Sequence, residues 1–240
     1  MKILVLLYGV ICYFFGVSAL LGWLAAMEGL LPFNLAKIEY TGTTAYLGAI
    51  VLMGLFALQH TIMARPGFKA RLTSVIPVAA ERPTFMLFTG LFLWIVLLCW
   101  PVMPDVIWQV ENQTLSYALI GFSLFGFLYL FIASFAINHF ELFGLHQVFN
   151  HFTGKPLPNV PFKENLMYKF DRHPIMTGVL IVIWSTPKMT MDHLLFSILL
   201  TLYIIMGVSF EERDLRDSLG QTYGSYANRV RTIVPTFLKG

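Results

Sequence analysis

Cysteine and charge are both scarce in this chain. Only Cys12 and Cys99 occur in 240 residues, and both fall within apolar runs. A disulfide between them would have to form inside a bilayer, so they read as small buried hydrophobes. No Cys/His spacing fits a metal site, which excludes a metal centre and a cysteine nucleophile from the expectations. Charged residues make up 12% of the sequence and hydrophobic ones 57%, whereas soluble domains carry about 25% and about 45–50%. The basic residues are scattered among short loops, so no nucleic-acid surface is expected. No repeat or second domain is visible.

What is present is apolar length. Hydropathy predicts membrane spans at Ile3–Met27, Thr44–Met63, Phe85–Val102 and Leu115–Ile137, each long enough or nearly so for about 30 Å of hydrocarbon. A hairpin of Ile175–Thr186 and Leu194–Phe210 follows, joined through Pro187; its first arm is short, so it is tilted or tucked against other helices. The first run is too long for a secretory signal, despite Ala25-Ala26, and reads as a retained span. The expected fold is an all-α polytopic bundle of five to six transmembrane helices. It forms one domain over 1–240, with a four-helix part at 1–137 and a loop, hairpin and tail at 138–240.

Placing the N-terminus in the cytoplasm puts 14 of the 16 basic residues inside, leaving Lys37 and Lys188 outside. The tail would also be cytoplasmic. Leu215, Leu219, Tyr223, Tyr226 and Val230 recur there at helical spacing, and Pro235 would end that helix.

Three polar clusters interrupt the apolar sequence. In the first, Pro174 suits a first helical turn, whose free N–H donors beside Arg172 and His173 can hold a carboxylate or hydroxyl. Gly178, one turn on, admits either a ligand or another helix; the cluster reads equally as a positive-inside anchor. In the second, Glu211-Glu212-Arg213, two carboxylates directly after an apolar run make a poor anchor. One can pair with Arg172 or Arg213 while the other faces a bound cation or ribose hydroxyls; a helix-end salt bridge is the alternative. The third, Asn138 to Gln147, continues a helical pattern with Asn138, Glu141 and Leu145 on one face and His139, Phe143 and His146 on its neighbour. Such a pocket with aromatic walls can line a substrate chamber, and Gln59-His60 can close it from across the bundle. His151 and His193 read as loop residues.

Taken together, Tyr168-x-x-x-Arg172-His173-Pro174-x-x-x-Gly178, then Glu211-Glu212-x-x-Leu215, then Gly220-x-x-Tyr223-x-x-Tyr226-x-x-x-Val230 and Pro235 resemble the isoprenylcysteine carboxyl methyltransferase superfamily. That superfamily includes the nitrite-reductase-associated membrane proteins. Within it, Gln59-His60-Thr61 to Pro66, Glu81-Arg82 and Asn138 to Leu145 look like the bacterial methanethiol S-methyltransferases. The resemblance implies a bacterial inner-membrane enzyme with S-adenosylmethionine in a cytoplasm-facing pocket. Tyr168, Arg172, His173, Pro174, Gly178 and Tyr223 would contact this cofactor, and Glu211 with Glu212 would hold its ribose or amino acid portion. Met176 departs from the Tyr usual in the superfamily, and Arg229 and Arg231 are displaced from the usual Arg before the last proline. Members acting on a carboxylate use such an Arg to orient it; a small thiol needs no such clamp.

The implied reaction is in-line methyl transfer to the sulfur of methanethiol, giving dimethyl sulfide. The nucleophile is the thiolate. His139 is the expected proton acceptor, with Glu141 and Asn138 beside it, and Phe140, Phe143, His146 and His60 would wall the substrate. The expected partners are this volatile thiol and membrane lipid. Rival readings are methylation of another small thiol or a lipid-like substrate, and, outside enzymes, a small transporter or scaffold.

Overall fold

A computed structural model describes residues 1–157 and 162–233; Pro235 and Lys239 lie outside the described residues. Among these, five helices are long and apolar enough to cross a membrane, and a sixth apolar helix is shorter. The chain divides into two compact units, 1–103 with 138–161 and 104–137 with 162–240. The division interleaves the two, because the chain leaves the first unit after residue 103 and returns to it at 138.

The first unit holds α1 (Lys2–Met27), α2 (Thr43–Ala64), α3 (Pro66–Thr73), α4 (Val78–Cys99), α6 (His139–Leu142) and α7 (Leu145–Thr153). Small residues on α1, including Gly9, Cys12, Gly16 and Ala19, recur about every three to four positions and are buried. That stripe lets α4 and α7 approach closely, the usual route to packing where lipid removes the hydrophobic drive between helices. On α2, Leu47, Ile50, Val51, Leu55 and Leu58 stay exposed, as a lipid-facing surface requires. The segment after α1 covers the end of α4: the Asn34 and Ala36 N–H groups donate to the Leu97 and Leu98 carbonyls, and the Tyr40 hydroxyl donates to that of Cys99.

α4 begins at Val78, seven residues before the predicted Phe85, and holds Glu81, Arg82 and Pro83 within its first two turns. The pattern predicted to run unbroken past residue 137 is also interrupted. Asn138 is extended (φ 166°), and Gly144 is left-handed (φ +90°), so His139 and His146 sit on separate short helices. His151 lies within α7 rather than in a loop.

The second unit holds β1 (Val106–Gln109), α5 (Gln113–Ile137), α8 (Pro174–Trp184), β2 (Lys188–Thr190), α9 (Met191–Leu219) and α10 (Gln221–Arg229). β1 and β2 pair antiparallel, and the Trp108 indole donates to the Thr186 carbonyl. α8 packs on α5 at Gly178. A Cβ there would come within 2.5 Å of the Gly126 carbonyl oxygen and 2.7 Å of the Leu130 Cβ, so of the two sequence readings for Gly178 this is the close helix. His193 is helical, not in a loop, and bonds the Ile183 carbonyl from within α9.

The shortness of α8 has a geometric cause. Tyr129, which bonds Asp171, lies eight residues before the end of α5, roughly 12 Å at 1.5 Å per residue. The chain therefore enters α8 well below the end of α5, and 11 residues suffice. α9 instead runs through Glu211-Glu212-Arg213 to Leu219, where Gly220 (φ +54°) breaks the single helix expected of the tail. α10 then folds back, packing Tyr223, Tyr226 and Val230 against Phe162, Leu215 and Leu219.

Candidate active site

In the second unit the polar residues of three segments converge. Asp171, fully buried, accepts from the His173 N–H at 3.0 Å and the Tyr129 hydroxyl at 3.1 Å. This fixes the entry to α8, with Pro174 buried in its first turn. Burial raises the Asp171 carboxyl, and bonds from Thr177, the His173 N–H and Tyr129 work against it. Arg172 is buried too. It donates to the Ala227 carbonyl at 2.8 Å and to Thr232, and its Nε lies 3.1 Å from Glu212 Oε1. Its own N–H donates to the Arg231 carbonyl, so Arg172 ties the start of α8 to the tail.

Glu212 is the hub. Its Oε1 takes His173 Nε2 at 2.9 Å and the Tyr223 hydroxyl at 2.8 Å in addition to Arg172, and its Oε2 lies 3.6 Å from Arg216. Glu211 differs: its side chain is 52% exposed, with Oε2 3.4 Å from His173 Nδ1. Of the two carboxylates, Glu212 is the one that pairs with Arg172, and Glu211 is the one that stays half-exposed. Burial lowers the His173 pKa, but hydrogen bonds to both glutamates, and their charges, outweigh it and raise the value to about 9. His173 is an imidazolium at neutral pH.

Tyr168 stands beside Glu211, Tyr226, Asp171 and Tyr129. Burial and those neighbours push its phenol up, so it stays neutral. Its carbonyl accepts from the Tyr226 hydroxyl at 2.7 Å. Tyr223 is 1% exposed and its hydroxyl is committed to Glu212. Its place is to hold the tail against α9.

The first unit gathers the other cluster. Asn138 Nδ2 donates to Glu141 Oε2 at 2.9 Å, and Gln147 Nε2 donates to the Glu141 carbonyl at 3.0 Å. His139 is 3% exposed, tilted against the Phe143 ring at 4.6 Å and edge-on to Phe140, with Nε2 2.9 Å from the Tyr13 hydroxyl. Burial lowers its pKa, leaving a neutral imidazole. Arg82 Nε donates to the Leu142 carbonyl at 2.6 Å and its guanidinium lies 4.8 Å over Phe85. Phe85 in turn packs 4.8 Å from His60, which bonds Thr89. His60 is linked to α6 by that chain of contacts, while His146 sits half-buried on α7.

Sequence reasoning missed Tyr13, Tyr129, Asp171 and Thr232. Asp171 was readable as the acid next to Arg172-His173; a lone tyrosine within an apolar run gives no such signal. Among the described residues no group of metal-ligating side chains is found.

No family model matches the sequence, and no solved structure matches it. Curated relatives do. The chain is 41% identical to methanethiol S-methyltransferase 1 of Bradyrhizobium diazoefficiens, over 98% of this chain and 83% of the relative. It is 42% identical to methanethiol S-methyltransferase of Mycobacterium tuberculosis, over 78% and 76%. Similarity extends to nurim of Rattus norvegicus, at 29% over 84% and 76%. These relatives set aside the transporter and scaffold readings: the chain belongs to the methanethiol S-methyltransferase family and is a multi-pass membrane methyltransferase.

Proposed function

We propose that this protein methylates methanethiol to dimethyl sulfide with S-adenosylmethionine as donor, working as one methyltransferase domain in a bacterial inner membrane with both termini cytoplasmic. One observation carries the donor reading: Glu212 is buried among Arg172, His173 and Tyr223, whereas the Glu211 side chain, with Oε2 3.4 Å from His173 Nδ1, remains half-exposed. Asp171, Glu211 and Glu212 are formally balanced by Arg172, His173 and Arg216, so what a cationic group would meet is the open carboxylate of Glu211. With Tyr168 kept neutral in the same cluster, this fits a cationic ligand bearing hydroxyls. Glu211, Tyr168 and His173 would hold the donor, which when bound supplies an electrophilic methyl group. Arg172, Glu212 and Tyr223 brace those residues, Pro174 sets the helix entry, and Gly178 seats α8 on α5.

His139 is the proton acceptor in this proposal. A neutral imidazole can take the thiol proton, whereas the imidazolium of His173 cannot. Asn138 fixes Glu141, and Gln147 ties α7 back to α6, so the short helix presents His139 in one orientation. Phe140 and Phe143 give an apolar wall suited to a small thiol, with His60 and His146 further substrate-side candidates. An apolar wall also keeps water from solvating the thiolate, whose charge disappears as it attacks a cation.

Headspace detection of dimethyl sulfide from purified protein with donor and methanethiol tests this. Formation dependent on both is expected. Donor binding with no volatile sulfide, but methylation of another thiol in a panel, would replace the substrate and keep the donor site.

A further inference from the structure

His139 is nearly sealed. It is 3% exposed, enclosed by the rings of Phe140 and Phe143, and its Nε2 is occupied by the Tyr13 hydroxyl at 2.9 Å. Tyr13, reaching across from α1, is only partly buried. Its ring meets His139 edge-on at 5.8 Å and Phe143 edge-on at 6.0 Å, so two aromatic contacts hold the hydroxyl on the imidazole. Of the pair, Tyr13 is the more open to an arriving molecule. We propose that Tyr13 is a further catalytic residue, whose hydroxyl meets the thiol and relays its proton to His139. This rests on the thiol methylation reading above.

The step balances within the pair. The thiol S–H bond breaks and its electrons stay on sulfur. Its proton bonds to the Tyr13 oxygen as Tyr13's own proton passes to His139 Nε2. Sulfur becomes a thiolate, Tyr13 ends neutral, and the imidazole becomes an imidazolium, so no tyrosinate needs to accumulate in an apolar setting. A shared proton path of this kind works at hydrogen-bond distances, which the Tyr13–His139 pair already satisfies. It also explains how a buried imidazole can serve as base without touching the substrate.

Tyr13→Phe keeps the ring and its packing and removes only the relay. The expected result is a fall in kcat of about 10²-fold or more, unchanged donor affinity by calorimetry, and little further loss when His139→Ala is added. The deficit should shrink across a panel of small thiols of increasing acidity, because an already ionised thiol needs no relay. The imidazole nitrogen NMR signals of His139 should also shift in Tyr13→Phe, independently of turnover. A wild-type rate in Tyr13→Phe overturns the relay, and so does an equal deficit for every thiol, which marks a structural role. If His139→Ala is slow while Tyr13→Phe is not, the relay fails and the base assignment survives. Absence of any thiol methylation by the unaltered protein would instead overturn the parent reading.

Discussion

His139 and His173 are buried to nearly the same degree, 3% and 5% exposed, yet they hold their protons differently. Around His139, in the first unit, are aromatic rings and a hydroxyl, and desolvation decides: the imidazole is neutral. Around His173, in the second unit, are two carboxylates, and their hydrogen bonds and charges overcome desolvation: the imidazole is charged. Burial alone therefore says little about a histidine's role; the nearest polar partner decides it. A neutral imidazole can accept a proton, whereas one already protonated at neutral pH can only hold neighbours in place. In the proposed mechanism that division gives one chain both a base and an electrostatic clasp.

The largest way to disturb the contrast is Glu212→Gln. It removes the carboxylate shared by Arg172, His173 and Tyr223, leaving buried Arg172 without its ion-pair partner at a cost of about 3–5 kcal/mol. Thermal unfolding in detergent should show a large loss of stability, accompanied by loss of donor binding. Unchanged melting and undiminished donor binding would contradict the place given to Glu212.

Acidity separates the histidines next. Because its partners raise His173 in the folded state, its stabilising contribution is complete below about 6.5 and is lost as pH rises through about 9. His139, lowered by burial, has the opposite sign: folding favours its neutral form, so its cost appears as pH falls through the ordinary histidine range. A melting-temperature profile should lose its alkaline decline in His173→Gln and soften its acid decline in His139→Gln. Identical profiles for the two variants would contradict the contrast.

The smallest expected effect is at Gly178→Ala, where the new methyl meets the Gly126 carbonyl oxygen and Leu130. Overpacking of this kind costs about 1–3 kcal/mol. It should shift the melting temperature of the protein and weaken donor binding only through the position of His173. A neutral change would mean that α5 and α8 give way easily.

Much of this fold was readable from hydropathy. The long runs predicted spans within a few residues of α1, α2 and α5, since apolar length is a strong signal. Boundaries failed where a single residue overrode the pattern: Pro83 is held inside α4, Asn138 turns extended between α5 and α6, and Gly220 splits the tail at φ +54°. The two short strands were invisible, being too short for alternation to register. At the site, Arg172, His173, Glu211 and Glu212 stood out because charge beside an apolar run is costly. Which glutamate stays open did not, since that depends on where Tyr223 and Arg172 arrive from distant sequence. Tyr13 was hidden for the same reason: its partner His139 lies 126 residues away.

Donor binding and turnover measured together on His139→Ala and His173→Gln test the central division of labour most directly. The account predicts that His139→Ala binds S-adenosylmethionine with unchanged affinity and loses about 10²–10⁴-fold in methyl transfer, while His173→Gln loses binding itself. Wild-type turnover in His139→Ala, or undiminished donor binding in His173→Gln, would contradict it.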